Sequence, residues 1–453
     1  MFSKTEKIAL KPSKNRWVLS ESALTRYITF SILYAAQGIP EGITFFAIPA
    51  WLAMNGKSPS YIASYVAVIG IPWSFKILIA PIMDRFTFLP MGRKRPWVIL
   101  GQMGLIISFL SIGFVNNPLN NLQGLMIAGF CISFFGAFQD VATDGMAVDL
   151  VPSKQQARAN GLMWGTKIIG TSASLAIGTS LLNSIGFHKT INSLAIVVFL
   201  IMLVPIYCRE RPGEKWMPWS LGEASKATKS IQLSNWKTIF KNLSKVVILP
   251  SSLILSISSF IIGIMYGLID TLLPIFTVQE LGWTNTKFSQ VFSVMTILGG
   301  LLGMFVGGAM VDFFGKLKMM SLYLIFLAIL IIGFGLFPSL WHHKAMIYGF
   351  ILSYYTGYTF LCISIFATAM HLCWKTVAAT QFTLYMALSN MGRASGSGLL
   401  GPLKNNLSWE QVFFVTALAP LMMLFMIRYI NFLKHKKSIK AFVKISPVKL
   451  DSN

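Results

Sequence analysis

WVILGQMGLIISFLSIGFV, Trp97–Val115, runs for 19 residues without a charge. MMSLYLIFLAILIIGFGLF, Met319–Phe337, does the same over another 19. At 1.5 Å of rise per residue, a helix of this length reaches about 29 Å, close to the roughly 30 Å hydrocarbon thickness of a bilayer. A buried helix in a soluble protein is usually shorter. Working outward from these two stretches, the same apolar pattern recurs along the chain. Expected spans are 24–53, 59–83, 96–115, 120–148, 158–184 and 191–208, then 247–278, 286–311, 317–337, 343–372, 376–402 and 409–434. The fold class is therefore an all-α membrane protein of twelve helices. The longer spans need tilt or ends that project into water.

Composition agrees. Of 453 residues, 55% are hydrophobic and 12% charged, about half the charged share of a soluble domain. The net charge of +23 invites a nucleic-acid reading, but its placement excludes one. The basic residues lie in short loops and tails between apolar spans, as the positive-inside rule requires. The N-terminus, 84–95, 149–158, 209–246, 312–318, 373–375 and the C-terminus hold most of the 38 Lys and Arg. The alternate loops hold Lys57, Lys189, Lys287, Lys344 and Lys404. Both termini are thus expected on the cytoplasmic side. The first span is too long for a signal-peptide core and is expected to be retained. Cys131, Cys208, Cys362 and Cys373 have no ligand spacing and read as packing residues.

The one long polar stretch, 209–246, falls near mid-chain. It suits a cytoplasmic linker, with a short amphipathic helix on the membrane surface. The expected layout is a tail 1–23, a six-helix bundle 24–208, the linker 209–246, a second bundle 247–434 and a tail 435–453. The halves resemble each other. Asp84-Arg85 and Gly92-Arg93-Lys94-Arg95 follow the second span; Asp312 and Gly315-Lys316 follow the eighth, 228 residues on. Gly38-Ile-Pro-Glu41 and Gly267-Leu-Ile-Asp270 pair at nearly the same offset. A duplicated six-helix unit is the architecture of major facilitator transporters. Asp84, Arg85, Arg93, Asp312 and Lys316 are accordingly gating candidates, the carboxylates pairing with basic side chains to close one face. The simpler alternative is a positive-inside anchor.

Lys76-Ile-Leu-Ile-Ala-Pro81-Ile-Met-Asp84-Arg85, ending in Gly92-Arg93-Lys94-Arg95-Pro-Trp97, resembles the AmpG muropeptide permease family and the related acetyl-CoA transporters. Tyr34-Ala-Ala-Gln37-Gly38-Ile-Pro40, Gln139-Asp140-Val-Ala-Thr-Asp144-Gly145, and Ala379-Thr380-Gln381-Phe-Thr-Leu-Tyr385 with Gly392-Arg393 extend the resemblance across both halves. The resemblance implies a major facilitator fold and solute transport through the inner membrane, often coupled to protons. It leaves the solute open among muropeptides, acetyl-CoA and iron-siderophores.

A charge at the centre of a membrane helix costs about 2.5–3.5 kcal/mol on insertion scales, so such residues pair or line a cavity. The candidates are Glu41, Lys76, Asp140, Asp144, Lys167, Asp270 and Arg393. Asp140 and Asp144 are four apart on one helix face. Two neighbouring carboxylates in a low dielectric do not both ionise cheaply, which suits one of them to carry a proton. Glu41, beside the helix-breaking Pro40, and Asp270 are further proton-coupling candidates. Lys167 and Arg393 are expected to bind an anionic group of the solute, Arg393 as the bidentate binder. Lys76 either joins them or extends to the interface. Gln37, Gln139, Asn160 and Gln381 are candidate hydrogen-bonding groups, and Trp164 a stacking surface. For each of these the plainer alternative is a contact between helices or with the membrane interface.

No Gly-x-x-x-x-Gly-Lys-Ser/Thr loop occurs, which argues against direct ATP drive. No nucleophile–base set marks an enzyme, and no metal or cofactor is expected. The expected partners are the bilayer, protons and a small, anionic solute, with no nucleic acid, for a chain acting as a monomer. A non-transporting membrane receptor or scaffold is the competing reading from another class.

Overall fold

The computed structural model describes residues 17–152, 155–225, 236–374 and 377–445. Among these, the chain is helical apart from loops and a lone backbone bridge between Val18 and Arg209. Among the described residues, nine helices are long and apolar enough to cross a membrane. They are Pro59–Arg85, Arg95–Gly113, Leu122–Leu150, Phe187–Tyr207, Pro250–Gln279, Asn285–Val311, Lys316–Leu336, Lys344–Leu372 and Trp409–Ile427, the second, third, fourth, sixth to tenth and twelfth spans. Three more helical stretches complete the twelve. The first span runs Ala23–Glu41, then a π-helical turn Gly42–Ala47, then Ile48–Met54. The fifth is Gln156–Ser184 and the eleventh Ala378–Asn406. The fifth and eleventh are less apolar because they are rich in Gly, Ser, Thr and Asn and carry Lys167 and Arg393.

The expected spans agree within a few residues except at the end. The apolar run that suggests 409–434 divides at Ile427, and Phe432–Ile445 forms a separate helix. Its Phe442 and Ile439 pack with Trp374, Val377 and Val246. Val246 lies in Trp236–Val247, the amphipathic helix expected in the linker. His435 is buried in this seam, its Nε2 against the Leu372 carbonyl oxygen at 2.8 Å. Burial pushes its imidazole below the usual range, and that carbonyl opposes the shift in part. The seam therefore favours a neutral ring and weakens as pH falls through the imidazole range.

Glycines set how closely the central helices approach. A methyl group at Gly38 would collide with the Lys167 carbonyl and the Thr171 amide; one at Gly42 would strike the Thr171 carbonyl. In the second half, Gly263 lies against the Ser389 carbonyl and the Arg393 amide, and Gly267 against the Arg393 carbonyl. The first span thus meets the fifth as the seventh meets the eleventh, backbone on backbone. These contacts also correct the register of the repeat. Gly38 corresponds to Gly263 and Gly42 to Gly267, so Glu41 corresponds to Tyr266 rather than to Asp270. Asp270 sits one helical turn further along.

The halves are joined at the end away from the chain termini. Gln279 Nε2 donates to the Lys57 and Ala53 carbonyl oxygens at 2.7 and 3.3 Å. Asn183 and Asn285 exchange amide bonds at 2.9 and 3.0 Å, and Ser60 Oγ donates to Asn405 Oδ1 at 3.0 Å. Midway, Ser293 Oγ donates to the Ser172 carbonyl at 3.0 Å and Asn390 Nδ2 to the Trp73 carbonyl at 3.2 Å. At the terminal end no hydrogen bond links the halves among the described residues.

That terminal end of the first half is itself tightly built. The Glu210 carboxylate is fully buried and accepts the backbone N–H groups of Arg93, Lys94 and Arg95 at 2.9, 2.7 and 2.5 Å. It caps the positive N-terminus of the third span. In exchange the Arg95 guanidinium donates to the Pro205 and Ile206 carbonyls at the end of the sixth span, at 2.5 and 2.7 Å. Glu210→Ala would strand three buried N–H groups at about 1–3 kcal/mol each. It should therefore lower the melting temperature in detergent sharply, whereas an unchanged melt would show that the cap is dispensable. Gly263→Val should be comparably damaging, because the Ser389 carbonyl it strikes cannot rotate away.

Candidate functional site

Pro40 removes a backbone N–H near the middle of the first span, and the π-helical turn follows directly. Thr44 Oγ1 donates to the Pro40 carbonyl at 2.7 Å, satisfying a group the irregular turn exposes. Glu41 stands between the proline and this turn, facing the other half. Arg393 Nη1 donates to Glu41 Oε1 at 2.9 Å, and its Nη2 to Asp270 Oδ2 at 2.7 Å. One guanidinium thus holds a carboxylate from each half. The rings of Phe45 of the first half and Tyr266 of the second pack against it, their centroids 4.3 and 4.8 Å from the guanidinium carbon. Asp270 also accepts from the Tyr355 hydroxyl at 2.7 Å. Lys167 Nζ lies 3.5 Å from Glu41 Oε2 and is flanked by Trp73 and Trp164. Two acids and two bases balance at the centre of the molecule.

A second cluster lies wholly in the first half. Lys76 and Asp140 form a buried ion pair, and Lys76 also lies over the Trp73 ring at 4.8 Å. Lys76 therefore does not extend to the interface; a carboxylate facing it on the fourth span keeps it inside. Asp144, one turn from Asp140, accepts from the Tyr34 hydroxyl and forms no ion pair among the described residues. Of the two carboxylates here, one pairs with the amine and the other with a hydroxyl. Trp73 contacts Lys76 and Lys167 alike and so stands between the two clusters.

The remaining candidates divide. Gln37 is buried with neither amide atom bonded among the described residues. Gln139 ties the fourth span to the first, donating to the Leu33 carbonyl at 3.1 Å. Trp164 is half exposed beside Lys167. Gln381 lies apart from both clusters. Its amide bonds the Trp374 N–H, the Leu372 carbonyl, Ser252 and Tyr385, a knot that fixes the turn between the tenth and eleventh spans. The side chain of Asn160 and that of Asp312 lie outside the described residues. Lys316 Nζ sits 3.5 Å from His371 Nδ1. Arg85 is exposed over Phe86.

Asp84 takes Arg93 at 3.0 Å and Lys94 at 2.5 Å, while Asp149 accepts two bonds from Arg93 at 2.9 and 2.8 Å. The cluster links the second, third and fourth spans of one half. It is complete while the terminal ends of the two halves remain unlinked. Tyr34, Phe45, Tyr266, Tyr355 and Asp149 were not among the sequence candidates. The tyrosines are identified only by the acids they meet, which periodicity does not show.

These features define a transporter architecture: twelve crossing helices in two related halves, with paired charges buried between them. The Major Facilitator Superfamily family profile matches residues 30–397, and the chain belongs to that family. It is a multi-pass membrane transporter of small molecules rather than an enzyme. It is similar to the putative transporter AmpG 4 of Rickettsia conorii, 24% identical over 90% of this chain and 96% of the relative. It is also similar to the anhydromuropeptide permease of Escherichia coli K12, 22% identical over 87% of this chain and 78% of that protein. Among solved structures, a point mutant of the nucleoside transporter NupG superposes with a TM-score of 0.65 at 13% identity, over 89% of this chain and 99% of that one. That likeness concerns the fold.

Removing Arg393 would leave two buried carboxylates without their shared base. Arg393→Gln is expected to lose about 3–5 kcal/mol of stability, read as a lower melting temperature. Arg393→Gln with Asp270→Asn should recover part of the loss. Equal melting of Arg393→Gln and the parent protein would contradict the pairing.

Proposed function

We propose that this chain is a proton-coupled importer of an anionic, medium-sized solute of the muropeptide kind, working by alternating access in the bacterial inner membrane. The observation that carries the reading is the surplus acid in the first half. Asp140 is neutralised by Lys76, while Asp144 has a hydroxyl partner and no ion pair among the described residues. In a low-dielectric interior an unpaired carboxylate is costly when ionised, so it takes up and releases a proton as its access to water changes. Asp144 is the leading carrier, with Asp140 as its coupled neighbour. Glu41 and Asp270 are balanced by bases and serve the solute site.

The two bundles, 24–208 and 247–434, would rock about the central cluster, joined by the linker 209–246. With both termini in the cytoplasm, the amide contacts at the far end make this the inward-facing state. The ion pairs of Asp84, Arg93 and Asp149 would keep the end of the first half rigid while it swings. Asp312 and Lys316 are proposed to act on the second half. Lys167 and Arg393 would attract an acidic solute, with Trp164, Gln37 and Asn160 along its path. The chain would act as a monomer.

The test is uptake by proteoliposomes offered an anhydromuropeptide, acetyl-CoA and a ferric siderophore, with and without an inward proton gradient. Muropeptide uptake should rise with the gradient. Asp144→Asn should abolish that rise, and Asp140→Asn should cut uptake by about tenfold or more, since it leaves Lys76 unpaired. Full gradient-driven uptake by both variants would refute the proton assignment.

A further inference from the structure

We infer that the solute docks by exchange: its carboxylate displaces Glu41 from Arg393, and Glu41 passes to Lys167. The inference rests on the transport reading above and adds what happens to the charges when the solute arrives. Of the two acids on Arg393, Asp270 is the fixed one. Its side chain is 1% exposed, Tyr355 holds its other oxygen, and it belongs to the same half as Arg393. Glu41 is the exchangeable one. It comes from the opposite half, and its side chain is 13% exposed, beside Lys167 at 16% and Arg393 at 11%. That edge of the cluster is where an incoming group first meets it.

A receiver for Glu41 is already in place. Lys167 Nζ stands 3.5 Å from its second oxygen, too long for a strong bond and close enough to become one. Arg393 is also incompletely bonded: its Nε is buried without a partner among the described residues. The Phe45 and Tyr266 rings lie 4.3 and 4.8 Å from the guanidinium carbon and restrict the approach to it. After the exchange every charge still has a counter-charge, with Asp270 and the solute on Arg393 and Glu41 on Lys167. The change has one structural consequence. The bond from Arg393 to Glu41 is an ion pair between the halves, and no other joins them among the described residues. Binding an acid therefore removes the charged tie that holds this state.

The experiment measures equilibrium binding by the purified protein in nanodiscs. The probes are N-acetylmuramyl-alanyl-glutamate with free carboxylates and the same compound fully amidated. Glu41→Gln removes the competitor and should tighten the acid probe about tenfold or more, the worth of one charge-assisted bond. The amidated probe should change little. Lys167→Gln leaves Glu41 nowhere to go and should weaken the acid probe. Glu41→Asp should restore parent-like affinity. Melting curves confirm that the variants are folded. The inference is overturned if Glu41→Gln weakens the acid probe, affects both probes alike, or binds neither. Gradient-driven uptake by the parent protein, measured separately, shows whether the transport reading stands or falls on its own.

Discussion

One guanidinium, that of Arg393, is shared between a carboxylate of each half, Glu41 and Asp270. Charges this deep in a membrane protein persist only when paired, so the helices carrying them must meet. The glycines at 38, 42, 263 and 267 make that meeting possible by letting the first and seventh spans lie directly against the fifth and eleventh. Pro40 and the π-helical turn flank Glu41, which faces across the interface to Arg393. The irregular stretch, the small residues and the three charges form one arrangement, and each would be unfavourable without the others.

The two halves are related but not equivalent. Their glycine contacts superpose, yet Thr171 occupies the place of Arg393, and Tyr266 the place of Glu41. The surplus acid lies in the first half, where Lys76 pairs with Asp140 and Asp144 is held by the Tyr34 hydroxyl. This division suits a carrier in which one half handles the proton and the contact surface between halves handles the solute. Trp73, touching Lys76 and Lys167, connects the two.

Much of the fold was legible because a bilayer imposes length and apolarity on every crossing helix. Lys76, Asp140, Lys167 and Arg393 could be picked out for the same reason, as charges where charges are expensive. What periodicity could not show was who pairs with whom. Lys76 could be read as a solute-binding or an interfacial lysine because its distance along the helix hid the carboxylate opposite. Gln381 looked available because helical periodicity does not show that its amide is taken up by Trp374, Leu372 and Tyr385 close by in the chain and by Ser252 of the seventh span. Glu41 and Asp270 looked equivalent because their local motifs match, while the register is set by backbone contacts with other helices. The twelfth span looked as if it ran past Ile427 because Phe432 and Leu433 are apolar; Phe432 belongs to the next helix, where its ring packs on His371.

The central claim is that the Arg393–Glu41 tie biases the halves toward the state closed at the end away from the termini. Electron–electron distance measurements between nitroxides on Lys189 and Lys344, exposed positions in the first turns of the sixth and tenth spans on opposite halves at that end, test it most directly. Unliganded parent protein should give one dominant short distance. Glu41→Gln should add a longer population at the expense of the short one. An unchanged distance distribution in that variant would contradict the account.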